Sequence, residues 1–458
     1  MSYENTYIQT FINKCDSLSD ITNVISLNRI KDYRIPHTVK CKESSFVLSR
    51  TTGEDINNTE ILCSKYYNNE GVSKAQMMRY ICEKSKKELD GVSCIKIFIS
   101  DDTRHLSEEN RRYLAKCYSS FSQFLLEKFE KATEISIING FGSEKINDSF
   151  VFQIIETLKT NSIQSLTGLD INDIICFGKK CNFMESDIFN EMNELKKVTL
   201  SFDTTTDNID HETVMYFLNY LKMKNISLNV STNFMENCSN IVEYCEKVRI
   251  NFKIDLQSKS FKLSGIERKA ADKLSSIQFY LETFNDFVDL EEAINSLANL
   301  ETIKINVGRF VQKIVSEESF DYIYSSYYLS QFTHFKCISK KLSCVEISSV
   351  YGYPYDDTKM EEVQLFCNYL LEQLISILPE TITSLSLLDT NGIEGRTFKK
   401  ISYELPLLTT ILFVRCNDIP EESLIEFREL KNVVFYGDSE NILDTLDSQI
   451  TIKGINRN

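Results

Sequence analysis

The stretch Leu408-Thr409-Thr410-Ile411-Leu412-Phe413-Val414-Arg415-Cys416-Asn417-Asp418-Ile419, followed by Glu421-Glu422-Ser423-Leu424, decides the fold. Its first six residues read apolar-x-x-apolar-x-apolar. The alternating Ile411 and Phe413 have the period of a strand with one buried face. The same hexamer recurs upstream and downstream. It appears as Val92-x-x-Ile95-x-Ile97, Ala132-x-x-Ile135-x-Ile137, Leu166-x-x-Leu169-x-Ile171 and Leu195-x-x-Val198-x-Leu200. Four more follow as Met223-x-x-Ile226-x-Leu228, Cys245-x-x-Val248-x-Ile250, Leu274-x-x-Ile277-x-Phe279 and Leu300-x-x-Ile303-x-Ile305. The remainder are Leu342-x-x-Val345-x-Ile347, Ile382-x-x-Leu385-x-Leu387 and Leu430-x-x-Val433-x-Phe435, with a last strand around Ile450 and Ile452. One such hexamer means little in a chain that is 42% hydrophobic; recurrence at intervals of 17 to 42 residues is the signal.

Between the hexamers the period changes to 3.6. Val151, Ile154, Ile155 and Leu158 form one stripe, and Val214, Phe217, Leu218 and Leu221 another, after an Asp210 suited to cap it. Leu290, Ala293, Ile294 and Leu297 form a third. A fourth, Val363, Phe366, Leu370, Leu374 and Ile377, closes at Pro379, which cannot continue a helix. Strand then helix also suits a doubly wound sheet. That rival expects glycine-rich turns and continuously apolar strands. Here polar residues separate the apolar ones, as at Lys96, Ser136, Thr199, Lys304 and Glu346, so one face is buried and the other wet. The reading is an α/β solenoid over 91–458, preceded by an N-terminal helical segment over 1–90.

The unit at Leu408–Ile419 resembles the leucine-rich-repeat family in its cysteine-containing subtype, Leu-x-x-Leu-x-Leu-x-x-Cys-x-x-Ile followed by a helix. The resemblance covers about four-fifths of the chain and implies parallel strands on a concave side and helices on a convex side. In that family the Cys or Asn three residues after the last apolar residue of the strand bonds to the backbone at the turn. Cys416 holds the position and Asn391 lies near it, whereas Asp203, Ser231, Gly308 and Val350 replace it elsewhere. Residues 12–29, with Leu18-Ser19-Asp20-Ile21 before Val24 and Leu27, resemble the second half of an F-box, without its opening Leu-Pro. That resemblance implies docking of a ubiquitin-ligase adaptor through residues 1–40; the plainer reading is a helical cap.

Charge and chemistry narrow the function. With 51 Lys and Arg against 66 Asp and Glu, the net charge is −15, which argues against phosphate-backbone binding and hence against nucleic acid. No signal peptide or apolar run of membrane-spanning length is visible, so a cytoplasmic protein with no membrane partner is expected. The 14 Cys include no CxxC pair, and only four His are present, so no metal and no cofactor are expected. Cys238 and Cys245, seven apart, read as small buried hydrophobes on one helix face. Gly140-Phe141-Gly142 lacks the third glycine of a dinucleotide fingerprint. The aromatic group Tyr322, Tyr324, Tyr327, Tyr328, Phe332 and Phe335 reads as core packing on a helical insertion.

No catalytic constellation emerges. The expected function is a non-catalytic protein-interaction scaffold, with the substrate-recognition subunit of a ubiquitin ligase as its narrow form. The alternative is an enzyme whose site sits in loop insertions near Asp101-Asp102 or over 351–357. A protein partner is expected on the concave face. Polar residues follow the central strands, at Ser201, Asn229, Asn251 and Asn306, but Leu388, Val414 and Tyr436 hold that position in the last repeats. Leu412 and Val434 lie between the strand apolars. The partner site is therefore expected at Leu388, Leu412, Val414, Val434 and Tyr436.

Overall fold

The computed structural model describes residues 92–99, 108–128, 132–139 and 150–436, apart from 203–209, 259–260, 333–335, 355, 391, 415, 417–418 and 420, with two short strands at 44–46 and 61–62. Expectations for residues 1–40, Asp101-Asp102, Gly140–Gly142 and the strand at 448–453 lie outside the described residues. Two compact units are formed, one by Met1–Val230 with Glu243–Phe252, the other by Ser231–Val242 with Lys253–Asn458.

In the first unit the strands are β1 (Ser44–Phe46), β2 (Ile61–Leu62), β3 (Val92–Ile99), β4 (Glu134–Asn139), β5 (Ser165–Asp170), β6 (Lys197–Ser201) and the start of β7 (Ser227–Thr232). From β3 onward each strand neighbours the next in sequence, while β1 and β2 both pair with β3. The pairings of β3 through β6 are parallel. Ile135, Ile137, Val198 and Leu200 are buried, while Glu134, Ser136 and Thr199 between them are half-exposed. One sheet face is packed and one open, as the alternation requires. Helices such as His211–Met223 lie between the strands, and Asp210 caps that one by accepting from Thr213 N at 3.3 Å. Its buried stripe includes Val214, Phe217, Leu218 and Leu221, as the 3.6 period predicts.

The second unit continues the pattern with β8 (Phe252–Leu256), β9 (Leu274–Tyr280), β10 (Thr302–Asn306), β11 (Cys344–Ser348), β12 (Ser384–Leu388), β13 (Thr410–Val414) and β14 (Asn432–Tyr436). Again every strand pairs in parallel with its sequence neighbour. In β10 through β13 two buried apolar residues alternate with three half-exposed ones. Each unit is thus an open, all-parallel sheet with alternating helices, the expected α/β class.

A repeating backbone bond locks successive repeats together below the strands. Ser165 N donates to Thr133 O, Lys197 N to Gln164 O and Ser227 N to Lys196 O in the first unit. In the second, Glu301 N donates to Ser275 O, Cys344 N to Glu301 O, Ser384 N to Ser343 O, Thr410 N to Thr383 O and Lys431 N to Thr409 O. Above the strands a second series runs the other way. Leu281 N donates to Asn306 O, Val307 N to Ser348 O, Ser349 N to Leu388 O and Asp389 N to Val414 O. Stacked repeats thereby satisfy the backbone groups that a lone strand-turn unit would leave bare.

Three strand expectations need correction. In β5 the expected central pair was Leu169 and Ile171. Instead Leu166 sits in register with Ile135 and Val198, and Leu169 with Leu200. Gly168, at φ +100°, carries a bulge between them, and Ile171 already opens a helix capped by Asp170. In β7 the buried pair is Leu228 and Val230, so the strand lies further along than the hexamer at 223–228, and Met223 is exposed at a helix end. The hexamer at 245–250 is not a strand. Met235–Val248 is a helix, ended by Arg249 at φ +60° with Ile250 N donating to Cys245 O, and the strand follows at β8. Apolar residues at i and i+3 fit both periods, so Cys245 and Val248 read ambiguously. Cys238 and Cys245 are indeed both buried on that helix.

Thiol chemistry gives a direct check of these placements. Burial pushes Cys238, Cys337 and Cys367 up to about 12, whereas Cys181 is exposed. Maleimide labelling of the folded chain at mildly alkaline pH, mapped by mass spectrometry, should modify Cys181 quickly. Cys238, Cys337 and Cys367 should react only after denaturation.

Candidate interaction surface

The open face of the second unit's sheet is built from the residues between and beside the buried pairs. Parallel pairing in unbroken register from β9 to β14 arranges them in straight rows across the strands. One row runs Gln278, Lys304, Glu346, Ser386, Leu412, Val434. The next runs Tyr280, Asn306, Ser348, Leu388, Val414, Tyr436. A third, from Ser276 through Thr302, Cys344, Ser384 and Thr410 to Asn432, is small or polar throughout.

The first two rows change character along their length. At the β9–β11 end the surface bonds to itself: Gln278 Nε2 donates to Tyr280 Oη at 2.8 Å and Asn306 Nδ2 to Ser348 Oγ at 3.0 Å. Lys304 and Glu346 place opposite charges side by side in register. At the other end Leu388, Leu412 and Val414 are half-exposed apolar side chains, and Leu388 is directly opposite Val414. Val434 and Tyr436 occupy the matching register positions on β14. All five residues singled out from the sequence therefore fall on two adjacent rows of two or three neighbouring strands.

The turn beyond this patch bears on the repeat type. Cys416 is buried, and its Sγ donates to Leu387 O at 3.2 Å and to Val414 O at 3.5 Å. A side chain three residues past Phe413, the last buried residue of the strand, thus bonds to the backbone of its own strand and of the one before it. A family model described as a domain of unknown function (DUF8346) matches residues 37–443. The chain belongs to that family. No curated protein matches the sequence.

The insertion over 351–357 is held by local bonds. Asp356 accepts from Thr358 N at 3.0 Å, and that backbone bond holds its carboxyl below the usual range. Asp356 and Asp357 line an open depression with Glu318 and Lys359, whose Nζ donates to Phe320 O at 2.6 Å. Among the described residues no group of three or more His, Cys, Asp or Glu could hold a metal ion, and no helix is long and apolar enough to cross a membrane.

The aromatic insertion is not simply core. On the helix Tyr322–Ser330, Ser325, Ser326 and Leu329 are buried, while Tyr324 and Tyr327 are 68% and 65% exposed. Tyr328 is anchored edge-on against Phe284, 4.7 Å between ring centroids, and Tyr324 stacks on Tyr328. The sequence hid this because apolar residues occur all around the helix, leaving no amphipathic stripe to orient it. The one hint was Ser325-Ser326, two small residues able to sit inside a close helix contact.

Proposed function

We propose that the chain is a non-catalytic protein-interaction scaffold of leucine-rich-repeat type, which grips a protein partner on the open face of its sheet. The observation that carries this is the apolar patch at Leu388, Leu412 and Val414, in register on neighbouring strands opposite the packed face. Half-exposed apolar side chains grouped in this way favour a dry contact with another surface. The Cys416 bonds support the cysteine-containing subtype, which makes this face the concave one.

Leu412→Ser with Leu388→Ser should abolish co-purification of the partner from cells while shifting the melting temperature little. A large loss of stability with no change in the captured proteins would sink the reading. The narrower proposal, a ubiquitin-ligase substrate receptor, rests on residues 1–40 alone. Binding of purified ligase adaptor to the full chain, lost on deleting 1–40, distinguishes it from a general scaffold.

A further inference from the structure

The helix Tyr322–Ser330 is oriented against its own hydropathy. It buries Ser325 and Ser326, and Ser326 Oγ has no hydrogen-bond partner among the described residues. It exposes Ile323, Tyr324 and Tyr327 to water. Burying a bare hydroxyl and exposing large apolar surface both cost free energy. A fold that breaks a local rule twice at one place marks a functional face. Tyr328, Phe284, Phe310 and Phe332 form a linked ring cluster, and Tyr324 stacks on its Tyr328.

The charge of the segments flanking this cluster is predominantly negative. Residues 316–331 carry Glu317, Glu318 and Asp321 and no base. The start of the neighbouring helix Met360–Ile377 adds Glu361 and Glu362, and Asp356 and Asp357 precede it, all exposed. The one cation among the described residues of these segments, Lys359, is tied to Phe320 O. Phe320 packs edge-on against Phe366 of the helix Met360–Ile377, the same helix on which the tyrosine helix packs.

We propose that this face docks a basic segment of a partner protein, with Lys or Arg side chains over the rings of Tyr324 and Tyr327 and their charge met by the surrounding carboxylates. Aromatic faces attract guanidinium and ammonium groups, and the carboxylates repel anionic lipids and phosphates. The site is separate from the sheet face and stands whether or not that face binds anything.

The test uses the full chain and a fluorescein-labelled peptide of five Arg-Gly repeats, read by anisotropy. Saturable binding is expected, with a loss of about tenfold in Tyr324→Ala/Tyr327→Ala, from two exposed cation–π contacts. Tyr324→Phe/Tyr327→Phe should retain affinity, because the ring face is kept. Tyr403→Ala, an exposed tyrosine on a helix with Lys399 and Lys400, should change nothing. The substituted side chains are exposed, so the melting temperature of each variant should match the parent. Equal binding by the alanine variant would mean the peptide senses only net charge, and the proposal fails. It fails equally if a single-stranded oligonucleotide binds with the same tyrosine dependence, or if no peptide binding is seen.

Discussion

Gly168→Ala should destroy the local order of the first unit, at a cost on the order of 4 kcal/mol or more. A Cβ at this position would lie 1.7 Å from the carbonyl oxygen of Ile137, a backbone atom of β4 that cannot swing aside. The φ of +100° compounds the clash, because a side chain disfavours that region for any residue but glycine. Relief would require β5 to leave β4 or the bulge to vanish. Removing the bulge would reverse the facing of Leu166 or Leu169, and both are fully buried. Hydrogen exchange read by mass spectrometry is the measurement, since stability in stacked repeats is local. Amides of 134–139 and 165–170 should lose protection. Gly395→Ala is the matched control: a Cβ there meets only Ser423 Oγ, at 3.8 Å, and the position opens a helix. That variant should be neutral or slightly more stable.

Asn368→Leu should cost about 3 kcal/mol, although it replaces a buried polar residue by an apolar one of similar size. Asn368 is nearly inaccessible on the helix Met360–Ile377, and its amide group is fully engaged. Oδ1 accepts from Glu394 N and Thr397 Oγ1, both at 2.9 Å. Nδ2 donates to Gln364 O at 3.0 Å and Gly392 O at 2.9 Å. The next helix, Gly395–Glu404, has no side-chain cap of its own, so Asn368 caps it from a neighbouring repeat. Leucine would leave Glu394 N without its acceptor in a half-buried turn and take one of two side-chain donors from Gly392 O, Gln364 Nε2 remaining at 3.1 Å. A drop in thermal midpoint, with exchange rising first over 392–404, is the expected outcome. An unchanged midpoint would show that water replaces the amide there.

Much of the second unit could be read from the chain because its strands keep one simple alternation. Ile303, Ile305, Val345, Ile347, Leu385, Leu387, Ile411 and Phe413 are all buried, two per strand, at the positions the hexamer marks. The alternation misleads where a second rule intervenes. At β5 a glycine adds one residue to the count, and a period-two pattern cannot reveal a bulge. At 245–250 the end of an amphipathic helix imitates the start of a strand, and the left-handed Arg249 that separates them is a residue type with no preference for that conformation. Leu388, Leu412 and Val414 of the sheet face were visible as departures from polar residues at the matching positions of other repeats. The tyrosine helix was visible only as composition. Which way it turns depends on Phe284 and on the helix Met360–Ile377, both remote in sequence from Tyr324.

In each unit, from β3 onward, a strand finds its partner in the next strand along the chain, usually a few tens of residues away. Closing such short loops costs little entropy, and the cost rises only slowly as a connection lengthens. The insertion that holds the tyrosine helix could therefore grow or shrink without disturbing the pairing of β10 with β11. Contacts of low sequence separation also favour rapid assembly, one repeat templating its neighbour. The architecture so divides the chain into a conservative ladder and freely editable connections, with new binding chemistry acquired in the latter at small risk to the former.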